Sequence, residues 1–421
     1  MDEEYDKLKR NVTVMTIGNT AIVSVNSLWI MFMPYFFSDI GLDTVTIGVF
    51  YTIFAGASAA SSFFGGRSAD RFGRKSTMIG GYAIYSTGPF VILISLLFAR
   101  QSLILAIAVS IVGYTTMMAA RGFVRPAASM LLVESSQKQK KGRSYMIATR
   151  VIPSIPAAIL VLIGSELYFS GTTLLTGYFS LALIIGFEGL IAVVAVFGIL
   201  LQESLLSIPS DAHPKSHTNT WKMHTGFFLI MVVTFSLDAL SSSGLSWYVS
   251  IAVRSIDEKL YGYMTSISTL IIAIAALGAG EVVDRLGTKA ALAVGWGLLA
   301  LTVGIFPLFH DPLWVLVLYA IWTGLDMMDV SIPPLVFEER YPKEARATAL
   351  GTFSTAVELG SIIGPALMSF TLLFGDAMPF FMKAVMNLIG VFLFMYGIRK
   401  LGNVTADTSQ ESPAESWRSS D

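Results

Sequence analysis

Several charged residues of this 421-residue chain lie inside segments otherwise too apolar to hold them. Arg121 and Arg125 are four apart and Asp326 and Asp329 three apart, so each pair shares one helix face. An ionisable side chain in hydrocarbon costs about 2.5 to 3.5 kcal/mol on insertion scales, so each of these groups calls for a partner or a purpose. Three kinds of chemistry fit. The basic and acidic faces could hold an anionic or dipolar solute, with the carboxylates carrying protons. Arg121 or Arg125 could pair with Asp326 or Asp329 as a gate that breaks in each cycle, or the charges could form a static pair that only offsets their cost. Asp238, Glu358, Arg150 and Glu188 are further intramembrane candidates, and Lys383 lies near the outer end of its segment, where it can snorkel.

The elements that position these residues follow from composition. The chain is 54% hydrophobic with a mean hydropathy of +0.67. Its 14% of charged residues compares with about 25% in soluble domains, which excludes both a water-soluble globular enzyme and a disordered chain. Apolar runs of about 20 residues, the length that crosses a bilayer at 1.5 Å per residue, recur twelve times. Those used below are span 1 (15–37), span 4 (102–132), span 5 (144–167), span 6 (177–201), span 7 (224–250), span 10 (313–337), span 11 (347–373) and span 12 (378–399). The runs are continuous rather than alternating, which excludes a β-barrel. Kinks are expected around Pro126, Pro153, Pro156, Pro333 and Pro334. In span 1, Asn19, Asn26 and Trp29, and in span 7, Ser241, Ser242, Ser243, Ser246, Trp247 and Tyr248, supply polar and aromatic groups suited to a small solute.

An even number of spans puts both termini on one side. Of the 28 Lys and Arg residues, 21 fall in the termini and the loops after even-numbered spans, and only Arg100, Arg254 and Lys259 fall in the opposite loops. The positive-inside rule therefore predicts cytoplasmic termini in a multi-pass protein of the cell membrane. The formal net charge of −1 argues against a nucleic-acid partner. The absence of cysteine removes disulfides, thiolate metal sites and cysteine nucleophiles, and no cofactor is expected. The chain divides into a six-span lobe at 1–204, a linker at 205–222, a second six-span lobe at 223–400 and a polar tail at 401–421 expected to be disordered. His213 and His217 sit in the proline-broken linker and are expected to be solvated rather than metal ligands. A monomer is expected.

The halves repeat. After the second span the sequence runs Gly66, Asp70, Arg71, Gly73, Arg74, Lys75, and after the eighth, Gly280, Asp284, Arg285, Gly287, with Thr288 in place of the late arginine. A second pair follows the fourth span of each half: Glu134 with Lys141, and Glu339 with Arg346. The aspartates can cap helix N-termini and accept bonds from arginine, and the glycines permit positive φ or close approach. A dinucleotide-like pattern, Gly295, Gly297 and Ala300, lies within an apolar span and lacks the strand its mechanism needs.

These motifs resemble those of the major facilitator superfamily, whose signature after the second helix has the form G-x-x-x-D-[RK]-x-G-R-[KR]. The resemblance implies an all-α integral membrane protein of twelve transmembrane helices in two pseudo-symmetric lobes. It also implies a secondary transporter, not an enzyme, with spans 1, 4, 7 and 10 lining a central cavity. It gives Asp70, Arg71, Arg74, Glu134 and Arg346 a conformational role. The arginine usual in span 4 is replaced by Tyr114, and the span 5 signature of drug/H⁺ antiporters is missing. The expected function is proton-coupled uptake of a small organic anion, zwitterion or sugar-like solute by alternating access. Multidrug efflux is the alternative, and a transporter-like sensor or intramembrane enzyme the more distant one.

Overall fold

A computed structural model describes residues 2–42, 44–99, 101–136, 141–169, 178–202, 218–254, 260–309, 311–341 and 345–402. The linker residues 205–217 and the tail beyond 402 lie outside them. Among the described residues there is no strand, and the fold is two lobes of antiparallel membrane helices.

In the first lobe, α1 (Asp2–Ser27) runs through a short 3-10 turn into α2 (Met33–Asp39), followed by α3 (Thr44–Phe72), α4 (Arg74–Phe98) and α5 (Leu103–Ser135). The fifth pass is α6 (Lys141–Met146), a π turn (Ile147–Val151) and α7 (Ile152–Phe169), and the sixth is α8 (Phe179–Leu200). The second lobe holds α9 (Thr218–Arg254), α10 (Leu260–Ile305), α11 (Pro312–Leu325), α12 (Ile332–Arg340), α13 (Arg346–Leu372) and α14 (Met378–Gly402). The 47-residue apolar stretch Gly262–Leu308 is long enough for two crossings. It breaks at Gly287, whose φ of 81° is the counterpart of the 91° at Gly73 between α3 and α4. Both repeated glycines thus occupy the positive-φ region that a side chain disfavours. α11 and α12 together make the tenth pass.

The anticipated kinks are resolved individually. Pro126 sits within a continuous α5. Pro153 cannot donate to a carbonyl one turn back, and the chain ahead of it widens into the π turn that carries Arg150. Pro333 and Pro334 open α12, and the helix ahead of them is interrupted from Asp326 to Ser331. Irregular backbone at membrane depth survives only where protein or a water-filled cavity surrounds it. These two interruptions therefore mark the interior.

Outward-facing Ile, Leu and Phe side chains such as Ile104, Ile274 and Phe392 are exposed, as lipid-facing residues must be. The lobes meet along two seams, α3 with α13 and α7 with α10. Close approach there relies on small residues and hydroxyls. Thr355 Oγ1 donates to the Ala59 carbonyl at 2.7 Å, and Ser266 Oγ to the Ala158 carbonyl at 2.8 Å.

Candidate functional site

At the face carrying the repeated motifs, each lobe caps a helix of the other. Asp70, at the end of α3, accepts the backbone N–H of Thr348 in the first turn of α13 at 2.6 Å. Asp284, in the matching turn of α10, accepts the N–H groups of Gly142 and Arg143 at the start of α6, at 2.9 and 2.8 Å. A carboxylate at a helix N-terminus satisfies orphan donors and complements the helix dipole. The contact is tight because glycines face backbone: a Cβ on Gly66 would fall 2.3 Å from the Ala347 carbonyl oxygen, and one on Gly280 2.7 Å from Arg143 Cα.

Around these caps runs a chain of ion pairs. Glu134 bonds Arg74 at 2.8 Å and meets Arg346 of the other lobe at 3.5 Å. Lys141 meets Glu338 at 2.5 Å, and Arg346 also reaches Glu338 at 3.6 Å. The second-half acid that pairs is therefore Glu338, and the motif's Glu339 points outward beside it. Arg285 binds Glu281 at 2.5 Å, and Arg143 of the first lobe meets the same carboxylate at 3.5 Å. Arg71 stacks over Phe72 rather than bonding Asp70.

Deeper in the fold, the first lobe presents Arg121 and Arg125 from α5 and Arg150 from the π turn. Arg121 is exposed although it lies within electrostatic range of Tyr82, Tyr85, Tyr114 and Arg150, the pattern of a side chain that faces an internal space rather than lipid. Arg150 lies within electrostatic range of Arg121, Arg125 and, across the lobes, Asp326. Asn26 donates to Tyr85 Oη at 2.9 Å, and its own side-chain oxygen is buried without a partner among the described residues. Tyr114 packs edge-on against Phe54, Tyr51 and Phe37, filling with aromatic surface the place where an arginine was expected.

The second lobe presents Asp326 and Asp329 from the interruption of the tenth pass. They do not pair with Arg121 or Arg125 as one reading of the sequence expected. Arg125 instead crosses the lobes to Glu358 of α13 at 3.0 Å. Asp326 faces Lys383, with Nζ at 3.8 Å, and Asp329 Oδ2 accepts Trp296 Nε1–H at 3.2 Å. Lys383 is also the centre of a tighter set: Nζ binds Asp238 at 3.0 Å and donates to Ser242 Oγ at 2.6 Å, and the Ser242 hydroxyl donates to Asp238 at 3.3 Å. Asn387, with its amide turned to suit its neighbours, donates at 3.1 Å to Asp238 Oδ1, the oxygen that Lys383 binds. Lys383 does not snorkel: its side chain is 1% exposed, because two carboxylates within 4 Å hold it inward. Asp326 is 39% exposed at the same depth, which puts its carboxylate on the internal space.

The remaining candidates disperse. Glu188 is exposed midway along α8 among Ile184, Ile185 and Ile191, on the lipid-facing side, and is not part of the internal set. The side chains of Ser246, Trp247 and Tyr248 lie outside the described residues. Trp296, Lys383 and Asn387 entered no sequence-level site. The signal that could have found Lys383 was its charge within an apolar run, with Asn387 one turn on along the same face.

Comparison with known proteins agrees with this geometry. The family profile described as Major Facilitator Superfamily matches residues 14–323 and 226–419. Multidrug resistance protein 2 of Bacillus subtilis (strain 168) is 24% identical over 423 residues, covering 95% of this chain and 96% of that protein. Among solved structures, the human organic anion transporter MFSD10 (TETRAN) superposes with a TM-score of 0.70 at 14% identity, over 92% of this chain and 99% of that one. The proton:xylose symporter XylE, bound to 6-bromo-6-deoxy-D-glucose, gives 0.71 at 13% identity, over 93% and 95%. With the profile spanning nearly the whole length and both lobes in the expected arrangement, this chain belongs to the major facilitator superfamily and is a multi-pass membrane transporter.

Proposed function

We propose that the protein is a proton-coupled secondary transporter that moves a small organic anion or zwitterion across the cell membrane by alternating access. The observation that carries this reading is the opposition of charge across the lobe interface: Arg121 and Arg150 on one side, the accessible Asp326 on the other. The guanidinium groups suit a carboxylate or phosphate end, since their donors match such oxygens in pairs. The carboxylates Asp326 and Asp329, set in a helix interruption, suit proton carriage because, among the described residues, they share the one ammonium of Lys383 with Asp238. The motif face, taken as cytoplasmic from the distribution of Lys and Arg, is latched shut by the Asp70 and Asp284 caps and the surrounding ion pairs. Opening that face requires these bonds to break together, which is the alternating step.

Efflux of drug-like solutes is the second reading, favoured by the similarity to a multidrug resistance protein. The two differ in substrate charge. A thermal-shift screen of organic anions, zwitterions and lipophilic cations over a range of pH tests them. Stabilisation by anionic solutes that disappears in Arg121→Ala supports the first reading, and stabilisation by cations alone, unaffected by that substitution, supports the second.

A further inference from the structure

The second lobe gathers three carboxylates from two elements, Asp238 on α9 and Asp326 and Asp329 at the interruption between α11 and α12. It places one ammonium among them, Lys383 of α14, almost wholly removed from solvent. Among the described residues the facing groups are Ser242 on α9, Trp296 on α10, Asn387 on α14, and Arg150 approaching Asp326 from the other lobe. Asp238 is well satisfied, with Lys383, Ser242 and Asn387 as donors. Asp329 has a neutral indole, and Asp326 lies 3.8 Å from the ammonium, close enough to draw it with a movement of about an ångström. A flexible lysine stem permits that movement, whereas a backbone-held donor would not.

We infer that Lys383 is a tethered counter-cation. In the empty carrier its ammonium takes the place of one proton at the carboxylate cluster, which lets the unloaded lobes change orientation without that proton. The inference rests on the transport reading above but adds a residue and a role to it. A buried cluster of like charges resists any rearrangement that moves it away from water, and an internal cation removes one of those charges without requiring an ion from solution. Lys383 acts on the carboxylates and is a positioning residue; contact with the transported solute is not required of it.

The test needs no known solute. Because the chain has no cysteine, spin labels can be placed at Phe72→Cys and Leu286→Cys, matching positions of the two motif turns that are 63% and 62% exposed. The distance between them reports opening of the motif face in lipid nanodiscs, measured by pulsed electron resonance without any added solute. The wild-type background is expected to populate both open and closed distances at neutral and acid pH. Lys383→Met is expected to be held in one population at neutral pH and to regain the other only on acidification by about one pH unit or more, a tenfold higher demand for protons. Lys383→Arg should behave as wild type. The double variant Lys383→Met with Asp238→Asn, which restores the cluster's formal charge, should recover exchange at neutral pH and also covers the case in which the single variant fails to fold. Two populations with an unchanged pH response in Lys383→Met would overturn the inference and leave the transport reading intact. A single distance at every pH in the wild-type background would overturn both.

Discussion

Asp70 and Thr348 are 278 positions apart in the chain and 2.6 Å apart in the structure, a carboxylate of one lobe closing the first turn of a helix in the other. Asp284 and Gly142 repeat the relationship with the lobes exchanged. The repeated motif therefore joins the lobes twice, reciprocally, and on the proposed alternating access both contacts must break for this face to open.

Asp70→Asn should favour the open motif face. A charge-assisted bond to backbone N–H contributes about 1.5 to 3 kcal/mol, and the amide keeps part of it, so a shift of about tenfold in the open-to-closed ratio is expected. Asp284→Asn should act in the same direction. The label pair at positions 72 and 286 reads the ratio directly, and an unchanged distance distribution in both variants would contradict the latch.

Gly66→Ala and Gly280→Ala should open the same face by a steric route. The added methyl would meet backbone, not a side chain that could swing aside. Labelling of a cysteine introduced at an exposed position of this face should accelerate in both, whereas Gly80→Ala and Gly278→Ala, where nothing lies within 4 Å, should match the parent.

Loss of Glu134 should cost stability as well as control. It is buried with Arg74 and Arg346, and removing one member of a buried ion pair typically costs about 3 to 5 kcal/mol by leaving the other charge uncompensated. Glu134→Gln should lower the melting temperature in detergent clearly. Glu358→Gln should leave it nearly unchanged, because Arg125, its partner, is 60% exposed and such pairs contribute little.

The architecture was largely legible in the sequence because bilayer thickness imposes a length on every span and the repeat supplied two fixed markers. Asp70 was recognised as a helix cap for the same reason: an aspartate beside a glycine turn has few other uses. That it caps the opposite lobe could not be read, since no local pattern encodes a contact 278 positions away. Lys383 was misplaced because its position near the outer end of span 12 suggested snorkelling, and only the folded chain brings Asp238 and Asp326 to it. The gate reading offered Asp326 or Asp329 as partners of Arg125, and the folded chain supplies Glu358 instead. Span 4 and span 10 carry opposite charges at repeat-related positions, but the interruption at Asp326 turns that acid toward Lys383 and leaves Glu358 to meet the arginine.

On the proposed function, a proton gradient drives solute through the space between Arg121 and Asp326. This is tested by uptake of a radiolabelled organic anion, chosen from the thermal-shift screen, into proteoliposomes with and without an imposed pH gradient. Accumulation against a concentration gradient is expected, collapsing on addition of a protonophore and lost in both Arg121→Ala and Asp329→Asn. Uptake that proceeds equally with the pH gradient abolished, or accumulation that survives both substitutions, would contradict it.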